Sequence, residues 1–210
     1  DIEWFHTSGI TPALSKNSYL VLKEILKKID KKIKISIDLN YRKKLWNWLN
    51  KDKIKNIMSD ICSNATLILG NYNDFQQCLG LKGSYDKIAK DCFSKYDNLK
   101  YIAINLRDSK NASENILSSL LFIKINSKIK KIQGKRYYLK NVIDRIGTGD
   151  SFASGIIHGI INYKKDYKKI VNFANSLFIL NHTIRGDTSQ FKEEDIIQFL
   201  KTNGSGRIIR

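Results

Sequence analysis

The sequence predicts an α/β fold with a mainly parallel central sheet that is covered by helices. Short apolar, β-branched segments alternate along the chain with segments that have the periodicity of amphipathic helices. The connections between these segments are short, which is typical of parallel strands joined through helices. Residues 1–210 contain no repeat and no linker rich in Gly, Ser or Pro, so we expect a single domain.

Each element of the first half is predicted from a local pattern. Apolar residues in Tyr19–Ile29 recur at helical spacing with Lys on the opposite face, whereas Ile33–Leu39 is a β-branched run bounded by charge. Asn71 follows a short apolar run and is a suitable N-cap for a helix. The predicted elements are the end of a strand at Phe5–Ile10, a helix at Tyr19–Ile29, a strand at Ile33–Leu39, a helix at Trp46–Ser59, a strand at Ala65–Leu69, a helix from Asn71 and a helix at Ser84–Tyr96.

The second half begins with one more buried strand and ends in three helices. Tyr101–Leu106 repeats the apolar strand pattern, and Asn115–Lys140 indicates two or three strands with a turn near Gln133 and Gly134. We expect these later strands to be antiparallel and to lie at one edge of the sheet. The predicted helices are Ser151–Tyr163, Tyr167–Asn181 and Glu193–Lys201. In a sheet of this kind a ligand binds at the carboxyl ends of the strands.

The composition argues against several classes of protein. The longest apolar stretches, such as Leu120–Ile123, are far shorter than the roughly 18 residues that a membrane helix needs. Three cysteines without a CxxC pattern favour neither a disulfide scaffold nor a structural zinc site, and they fit a reducing cytoplasm. The net charge of +17 is spread along the chain, so we expect no nucleic-acid partner, although a small anion such as a nucleotide is compatible with it.

The segment Asp144–Gly155, with the sequence DRIGTGDSFASG, carries the clearest chemical signal. Gly147 and Gly149 allow a sharp turn whose N–H groups point at one place, and the helix that follows adds partial positive charge there. A phosphate or a developing anion fits such a place, and Asp150 beside it can accept a proton from an attacking hydroxyl. The alternative is a plain helix start with Asp150 or Ser151 as N-cap. The small residues that follow, Gly155 among them, favour close packing on the sheet and a functional reading.

This segment resembles the DxxGAGD signature of ribokinase-like, PfkB-type carbohydrate kinases. Further segments are similar to those of 2-keto-3-deoxygluconate kinases in the same order along the chain. They are SGITPALS (8–15), SIDLNYRKKLW (36–46), ILGNYNDF (68–75), HTIRGDTS (182–189) and the ending GSGRIIR (204–210). The resemblance implies a ribokinase-like three-layer α/β/α fold, and ATP-dependent phosphorylation of a sugar acid such as 2-keto-3-deoxygluconate. It leaves fructose, ribose and adenosine as other acceptors.

The resemblance also implies roles for individual residues. Asp150 would be the catalytic base, and the backbone of Gly147, Thr148 and Gly149 would form the anion hole for the transferred phosphoryl group. Arg42 would bind the carboxylate of the keto acid. Substrate contacts would come from Arg42, Asp150 and Asp187.

Nucleotide-binding positions follow from the same resemblance. Asn40 would lie near the nucleotide phosphates, Asn175 in the nucleotide pocket, and Arg107 beside the phosphates; Gly147 and Gly149 would contact them as well. The pair Asn71 and Asp74 would order Mg²⁺ through water. Each assignment has a structural alternative, namely a strand end at Asn40, a surface cation at Arg42, a helix cap at Asn71 and a turn at Gly186–Asp187.

Three departures from the family pattern stand out. The NxxE motif ends in Asp74 instead of Glu, and the segment LRDSKNASEN (106–115) lacks the glycines of a KxGxxG turn. The match also begins near the middle of the family pattern, and Asp1 stands where a Met would begin a chain. We therefore expect the first strands and the lid of the family to be absent, which would expose an apolar sheet edge. A second copy or a complementing N-terminal chain is then an expected partner, and a nucleotide-binding remnant without catalysis is the alternative function.

Overall fold

A seven-stranded sheet forms the framework of the computed structural model, which describes residues 2–109 and 114–202. The strands run in the order β1-β2-β3-β4-β5-β6, and β7 pairs with β5. Neighbouring strands from β1 to β4 are parallel, whereas β5 and β7 are antiparallel. The predicted α/β fold with a mainly parallel sheet is therefore confirmed. The strands are β1 (Trp4–Ser8), β2 (Lys34–Asp38), β3 (Leu67–Gly70), β4 (Tyr101–Ser109), β5 (Asn115–Ile125), β6 (Lys128–Gln133) and β7 (Tyr137–Leu139).

Helices connect the parallel strands and follow the last strand. A side chain caps the start of several of them, as at Ser84 before α5 and Asp166 before α7, because the first turn of a helix leaves N–H groups without backbone acceptors. The helices are α1 (Ile10–Leu14), α2 (Lys16–Lys28), α3 (Lys51–Cys62), α4 (Tyr72–Leu79), α5 (Tyr85–Lys95), α6 (Thr148–Asn162), α7 (Tyr167–Asn181) and α8 (Glu193–Lys201). None of the helices in the described part of the chain has the length and apolar character needed to cross a bilayer.

The chain divides into two compact units. The first comprises Asp1–Ile104 and Phe122–Lys130, and the second comprises Asn105–Leu121 and Lys131–Arg210. The strands β4, β5 and β6 contribute residues to both units. The single domain over residues 1–210 stays a prediction.

Each unit has an apolar core of its own. In the first unit, Ile37, Ile68 and Phe75 are fully buried, and the three cysteines are buried free thiols. In the second unit, α6 and α7 pack closely because Gly155 faces Ala174, where a Cβ on Gly155 would lie 2.7 Å from the Ala174 Cα. The expectation that Gly155 packs against the sheet is therefore wrong, since its neighbour is a helix.

Other predicted elements also have different bounds in the structure. The helix predicted at Tyr19–Ile29 spans Lys16–Lys28, and the strand predicted at Tyr101–Leu106 extends to Ser109. The helix predicted at Trp46–Ser59 begins only at Lys51, because Trp46 is buried and the indole of Trp48 donates to the Ala13 carbonyl, which fixes this segment in another conformation. The helix predicted from Ser151 begins at Thr148, because Gly147 adopts a left-handed conformation and forms the N-cap.

Candidate functional site

The turn before α6 brings together several residues predicted for the anion site. Gly147 has φ +70°, a conformation that L side chains rarely adopt. A Cβ at Gly147 would overlap the backbone carbonyl of Asp187, so the glycine allows the loop of Asp187 to lie directly against this turn. The predicted substrate contact at Asp187 is thus next to the predicted anion hole, with its side chain exposed.

The first turn of α6 presents N–H groups that the helix itself does not use. Ser151 is the first residue whose N–H donates within the helix, to the carbonyl of Gly147 at 2.9 Å. The N–H groups of Thr148, Gly149 and Asp150 precede it, where an α-helix offers no backbone acceptor. A Cβ on Gly149 would meet no atom within 4 Å, so open space lies beside these groups. An anion can occupy that space and accept hydrogen bonds there.

Asp150 lies in this first turn with an exposed side chain. It is the third residue of the helix and not its N-cap, so the plain capping role considered for it from the sequence does not apply. Within the described ranges, no hydrogen bond or ion pair holds its carboxylate. The carboxylate is therefore available to a substrate hydroxyl at the same end of the helix as the free N–H groups.

Asp144 organises the turn, and the sequence interpretation gave it no role. Its Oδ1 accepts the N–H groups of Arg145 at 2.6 Å and Ile146 at 3.0 Å, and its Oδ2 accepts the N–H of Gly186 at 3.1 Å. These hydrogen bonds lower the pKa of Asp144, and the bond from the Ile146 N–H has the largest effect. The positive charge of Arg185 lowers the pKa further. One carboxylate thus ties the 185–187 loop to the turn. The DxxG spacing itself was the signal that could have identified it.

Two arginines and a buried histidine lie near this turn. Partial burial and the positive charge of Arg145 lower the pKa of Arg107 at the end of β4. Burial lowers the pKa of His182 as well, and the charges of Arg107 and Arg145 act in the same direction. The Nδ1 of His182 lies 2.7 Å from the carbonyl of Phe178, and the carbonyl of His182 accepts the N–H of Ile143 at 2.9 Å. His182 is therefore a buried structural residue that joins α7 to the segment before the turn.

Asn175 occupies a different environment from the exposed turn. It is fully buried on α7, and its Nδ2 donates to the carbonyl of Lys135 at 2.6 Å. Asn172, one turn earlier, accepts the N–H of Lys135, and Lys168 donates to the carbonyl of Gln133. The face of α7 thus holds the connection between β6 and β7. The Oδ1 of Asn175 has no partner among the described residues, so the predicted contact with a nucleotide stays a prediction.

In the first unit, a second group of predicted residues meets at the carboxyl ends of β2 and β3. Asn40 lies just beyond Leu39, the residue that follows β2, and has φ +35°, a conformation that Asn tolerates better than most residues. Arg42 is exposed, and its guanidinium donates a 3.1 Å hydrogen bond to the carbonyl of Tyr41. The backbone N–H of Tyr41 donates to Asp74 at 3.0 Å, which joins this loop to the start of α4.

Asn71 and Asp74 form a capping box at the start of α4. The Asn71 Oδ1 accepts the N–H of Asp74, and the Asp74 Oδ2 accepts the N–H of Asn71 at 2.9 Å. Burial raises the pKa of Asp74, against the opposing effect of its backbone hydrogen bonds and of the Arg42 charge. The N-cap predicted at Asn71 is confirmed.

Asn71 and Asp74 do not form a ligand set for a cation. Both oxygens of Asp74 already accept backbone N–H groups, from Tyr41 and Asn71. Residues 2–109 and 114–202 contain no group of three or more His, Cys, Asp and Glu side chains that could hold a metal ion. A directly protein-bound Mg²⁺ therefore does not fit Asn71 and Asp74, and the water-mediated contact stays a prediction.

Two parts of the sequence match fall on undescribed residues. The ending GSGRIIR lies outside the described residues, as does 110–113 of the segment that lacks a KxGxxG turn. The other predicted residues fall into two groups, one in each unit. They are Asn40, Arg42, Asn71 and Asp74 in the first unit, and Arg107, Gly147, Thr148, Gly149, Asp150, Asn175 and Asp187 in the second.

Comparison with known proteins identifies relatives over nearly the whole chain. A 2-dehydro-3-deoxygalactonokinase from Haloferax volcanii is 21% identical over 207 residues, which are 98% of this chain and 59% of the relative. The solved 2-dehydro-3-deoxygluconokinase from Thermotoga maritima is 34% identical, with a TM-score of 0.85 over 95% of this chain and 60% of that chain. A PfkB family carbohydrate kinase from Listeria grayi is 26% identical, with a TM-score of 0.86 and the same coverage. No family model matches.

These relatives and structural neighbours are carbohydrate kinases of the PfkB type, and the chain has their ribokinase-like fold. The resemblance stated from the sequence is confirmed. The chain spans about 60% of the length of the relatives that it matches. Two more distant kinases of this fold, 18% and 19% identical, were solved with ADP and with an ATP analogue.

Proposed function

We propose that the chain is the catalytic and phosphate-binding part of an ATP-dependent kinase that phosphorylates a hydroxyl of a sugar or sugar acid. One observation carries this proposal: the left-handed Gly147 turn opens α6 with unused N–H groups, and an exposed Asp150 lies among them. Kinases of this fold that hold ADP or an ATP analogue support ATP as the donor.

The geometry suits an in-line transfer. The sugar hydroxyl oxygen attacks the terminal phosphorus, the bond from that phosphorus to the oxygen of ADP breaks, and Asp150 accepts the hydroxyl proton. The N–H groups of Thr148 and Gly149 stabilise the negative charge that develops on the phosphoryl oxygens. Asp144 holds the turn in this shape through its hydrogen bonds to the 145–146 backbone and Gly186.

The acceptor that we propose is 2-keto-3-deoxygluconate, phosphorylated at its terminal hydroxyl. The Thermotoga relative is named for that substrate, and the Haloferax relative for its galactose-derived counterpart. Arg42, exposed after β2, provides a guanidinium that can bind a carboxylate through two parallel hydrogen bonds. Asp187 is proposed as a second contact to the acceptor. Fructose and ribose lack a carboxylate, so they would gain nothing from Arg42.

Mg²⁺ is proposed to arrive with the triphosphate, because kinase sites bind it mainly through substrate phosphates and few carboxylates. We assign no step to it. Arg107 and the backbone of Gly147 and Gly149 are proposed to contact the phosphates, and Asn40 and Asn175 to line the nucleotide site. A reducing cytoplasm is the proposed location, and the three buried free thiols agree with it.

The direct test is ADP formation by the purified chain with ATP and Mg²⁺, in parallel with 2-keto-3-deoxygluconate, fructose and ribose. We expect turnover that depends on the sugar acid, and a loss of preference for it in Arg42→Ala. A preference for fructose or ribose would overturn the proposed acceptor. ATP binding without ADP formation for any of the three sugars would favour the alternative of a nucleotide-binding remnant.

A further inference from the structure

The carboxylate of Asp74 joins the loops that follow two neighbouring parallel strands. Its Oδ1 accepts the N–H of Tyr41, beyond the end of β2, at 3.0 Å, and its Oδ2 accepts the N–H of Asn71, directly after β3, at 2.9 Å. The bond to Asn71 belongs to the capping box of α4, whereas the bond to Tyr41 spans 33 positions and adds nothing to the helix. Asp74 is 5% exposed, and a buried carboxylate needs hydrogen bonds that replace its hydration. These two backbone donors therefore account for the place of this side chain.

The helix α4 holds the segment after β2 at a second point. Cys78 lies one turn after Asp74 on the same face of the helix, and its Sγ donates a weak hydrogen bond to the carbonyl of Leu39 at 3.6 Å. The N–H of Leu39 donates to the carbonyl of Leu69 at 2.9 Å. The backbone from Leu39 to Tyr41 is therefore held by β3 and by α4 together.

The guanidinium of Arg42 is attached to the same backbone. Its Nη1 donates to the carbonyl of Tyr41 at 3.1 Å, so Tyr41 is held at its N–H by Asp74 and at its carbonyl by Arg42. The carbonyl of Arg42 accepts the N–H of Leu45 at 2.9 Å, which fixes the chain beyond it. A guanidinium has five N–H donors, and the exposed side chain of Arg42 leaves donors for a carboxylate. Burial raises the pKa of Asp74, and the positive charge of Arg42 opposes that rise, so the two side chains attract each other.

We infer that Asp74 is a positioning residue for the acceptor, because through the N–H of Tyr41 it fixes the backbone from which Arg42 reaches the carboxylate of the sugar acid. The inference rests on the proposed function for the acceptor and for the role of Arg42. Asp74 is one methylene shorter than the Glu of the NxxE motif, and its two oxygens end on backbone N–H groups. Its effect is therefore expected on the affinity for the acceptor, and not on the affinity for ATP with Mg²⁺. Displacement of a binding group by about 1 Å can cost about 10²-fold.

The test measures the binding of 2-keto-3-deoxygluconate, and of ATP with Mg²⁺, by calorimetry. The variants are Asp74→Ala, which removes the acceptor of the Tyr41 N–H, Arg42→Ala, and the two combined. Ser84→Ala is the matched control, since the Ser84 side chain accepts the N–H of Lys87 at the start of α5 and is not among the predicted site residues. Both Asp74→Ala and Ser84→Ala weaken a helix start, but only the first releases Tyr41. Asp74→Asn keeps the size of the side chain and one acceptor oxygen for the two N–H groups, so it replaces Asp74→Ala if thermal melting shows that the latter does not fold.

We expect Asp74→Ala to bind the sugar acid at least about tenfold more weakly than the parent, and ATP with Mg²⁺ within about twofold of it. Ser84→Ala should bind both ligands as the parent does. Because Asp74 acts through Arg42, the double variant should bind the sugar acid no more weakly than Arg42→Ala alone. The inference is overturned if Asp74→Ala binds the sugar acid as the parent does, or if the two losses add. It is also overturned if the affinity for ATP with Mg²⁺ falls as far as that for the sugar acid, which would assign Asp74 to the metal.

Hydrogen exchange of the Tyr41 amide gives a readout that needs no ligand. Exchange at Tyr41 should be faster in Asp74→Ala than in the parent, while Leu39, whose N–H is bonded to Leu69, keeps its exchange rate. Unchanged exchange at Tyr41 would overturn the inference whatever the acceptor is. A parent chain that binds no sugar acid would instead overturn the proposed acceptor, and this inference would fall with it. The exchange rate thus separates a failure of the positioning role from a failure of the proposed function.

Discussion

Substitution of Gly149 by Ala separates the function of the α6 turn from its stability. A Cβ at this position meets no atom within 4 Å, and the backbone is helical. Replacing a helical Gly by Ala stabilises by up to about 1 kcal/mol, which corresponds to an increase of up to about 4 °C in the unfolding midpoint. The added methyl group, however, occupies the space assigned to the transferred phosphoryl group. We therefore expect a stable protein with a loss of turnover of at least about tenfold, less than the cost of removing an anion-hole donor outright.

Gly147→Ala is the matched comparison, because here the methyl group must harm the fold. The left-handed conformation costs an L residue about 1–2 kcal/mol, or about 2–8 °C in the unfolding midpoint. The methyl group would also overlap the Asp187 carbonyl and lie 2.7 Å from the Asp187 Cα, so the loop must move. For both variants, the unfolding midpoint is measured by circular dichroism, the ATP affinity by calorimetry and the turnover by ADP formation. Full turnover in Gly149→Ala would refute the assignment of the open space, and an unchanged melting point in Gly147→Ala would refute the packing argument.

Three further substitutions test the second unit. Asp144→Ala should lower both the unfolding midpoint and turnover, since Gly186 and the turn lose their shared acceptor. Because folding lowers the pKa of Asp144, its contribution to stability is present above the ordinary carboxylate pKa of about 3.9 and is lost as the pH falls below it. A variant that melts like the parent at pH 7 would contradict this role. Gly155→Ala should cost about 1–3 kcal/mol, measured by urea unfolding, because its Cβ would lie 2.7 Å from the Ala174 Cα; an unchanged midpoint would show that the helices separate freely. Folding lowers the pKa of His182, so its contribution to stability is complete above the unfolded pKa of about 6.5 and declines as the pH falls from there. His182→Gln should therefore flatten the dependence of stability on pH between pH 7 and pH 5. An unaltered slope would assign this pH dependence to other groups.

The sequence pattern predicted the helices and strands well where local signals decide them. Tyr167–Asn181 and Glu193–Lys201 have the predicted bounds. Asp166 caps the start of the first helix, and the second is amphipathic with acidic residues in its first turn and Lys201 in its last. Tertiary contacts decide the exceptions. Burial of Trp46 and the bond from Trp48 to Ala13 delay the start of α3, and no local pattern carries that information.

The residues of the candidate site could be predicted from the sequence motif, but the hydrogen bonds that hold its turn in place could not. The glycines and Asp150 could be identified from their spacing before a helix. The use of Asp144 to join the turn to Gly186 depends on residues 42 positions apart, and only the folded chain brings them together. Leu20 and Ile25 show the opposite case, since periodicity identifies an apolar face without telling what covers it.

Comparison of the parent chain with Asp150→Asn tests the central claim most directly. Both are measured for ADP formation with ATP, Mg²⁺ and 2-keto-3-deoxygluconate, and for ATP binding by calorimetry. Asn keeps the size of the side chain but cannot accept the hydroxyl proton, so turnover should fall by about 10²–10⁴-fold. ATP affinity should stay within about twofold, since the backbone N–H groups are unchanged. Turnover at the parent rate in Asp150→Asn, or loss of ATP binding together with turnover, would contradict Asp150 as the base.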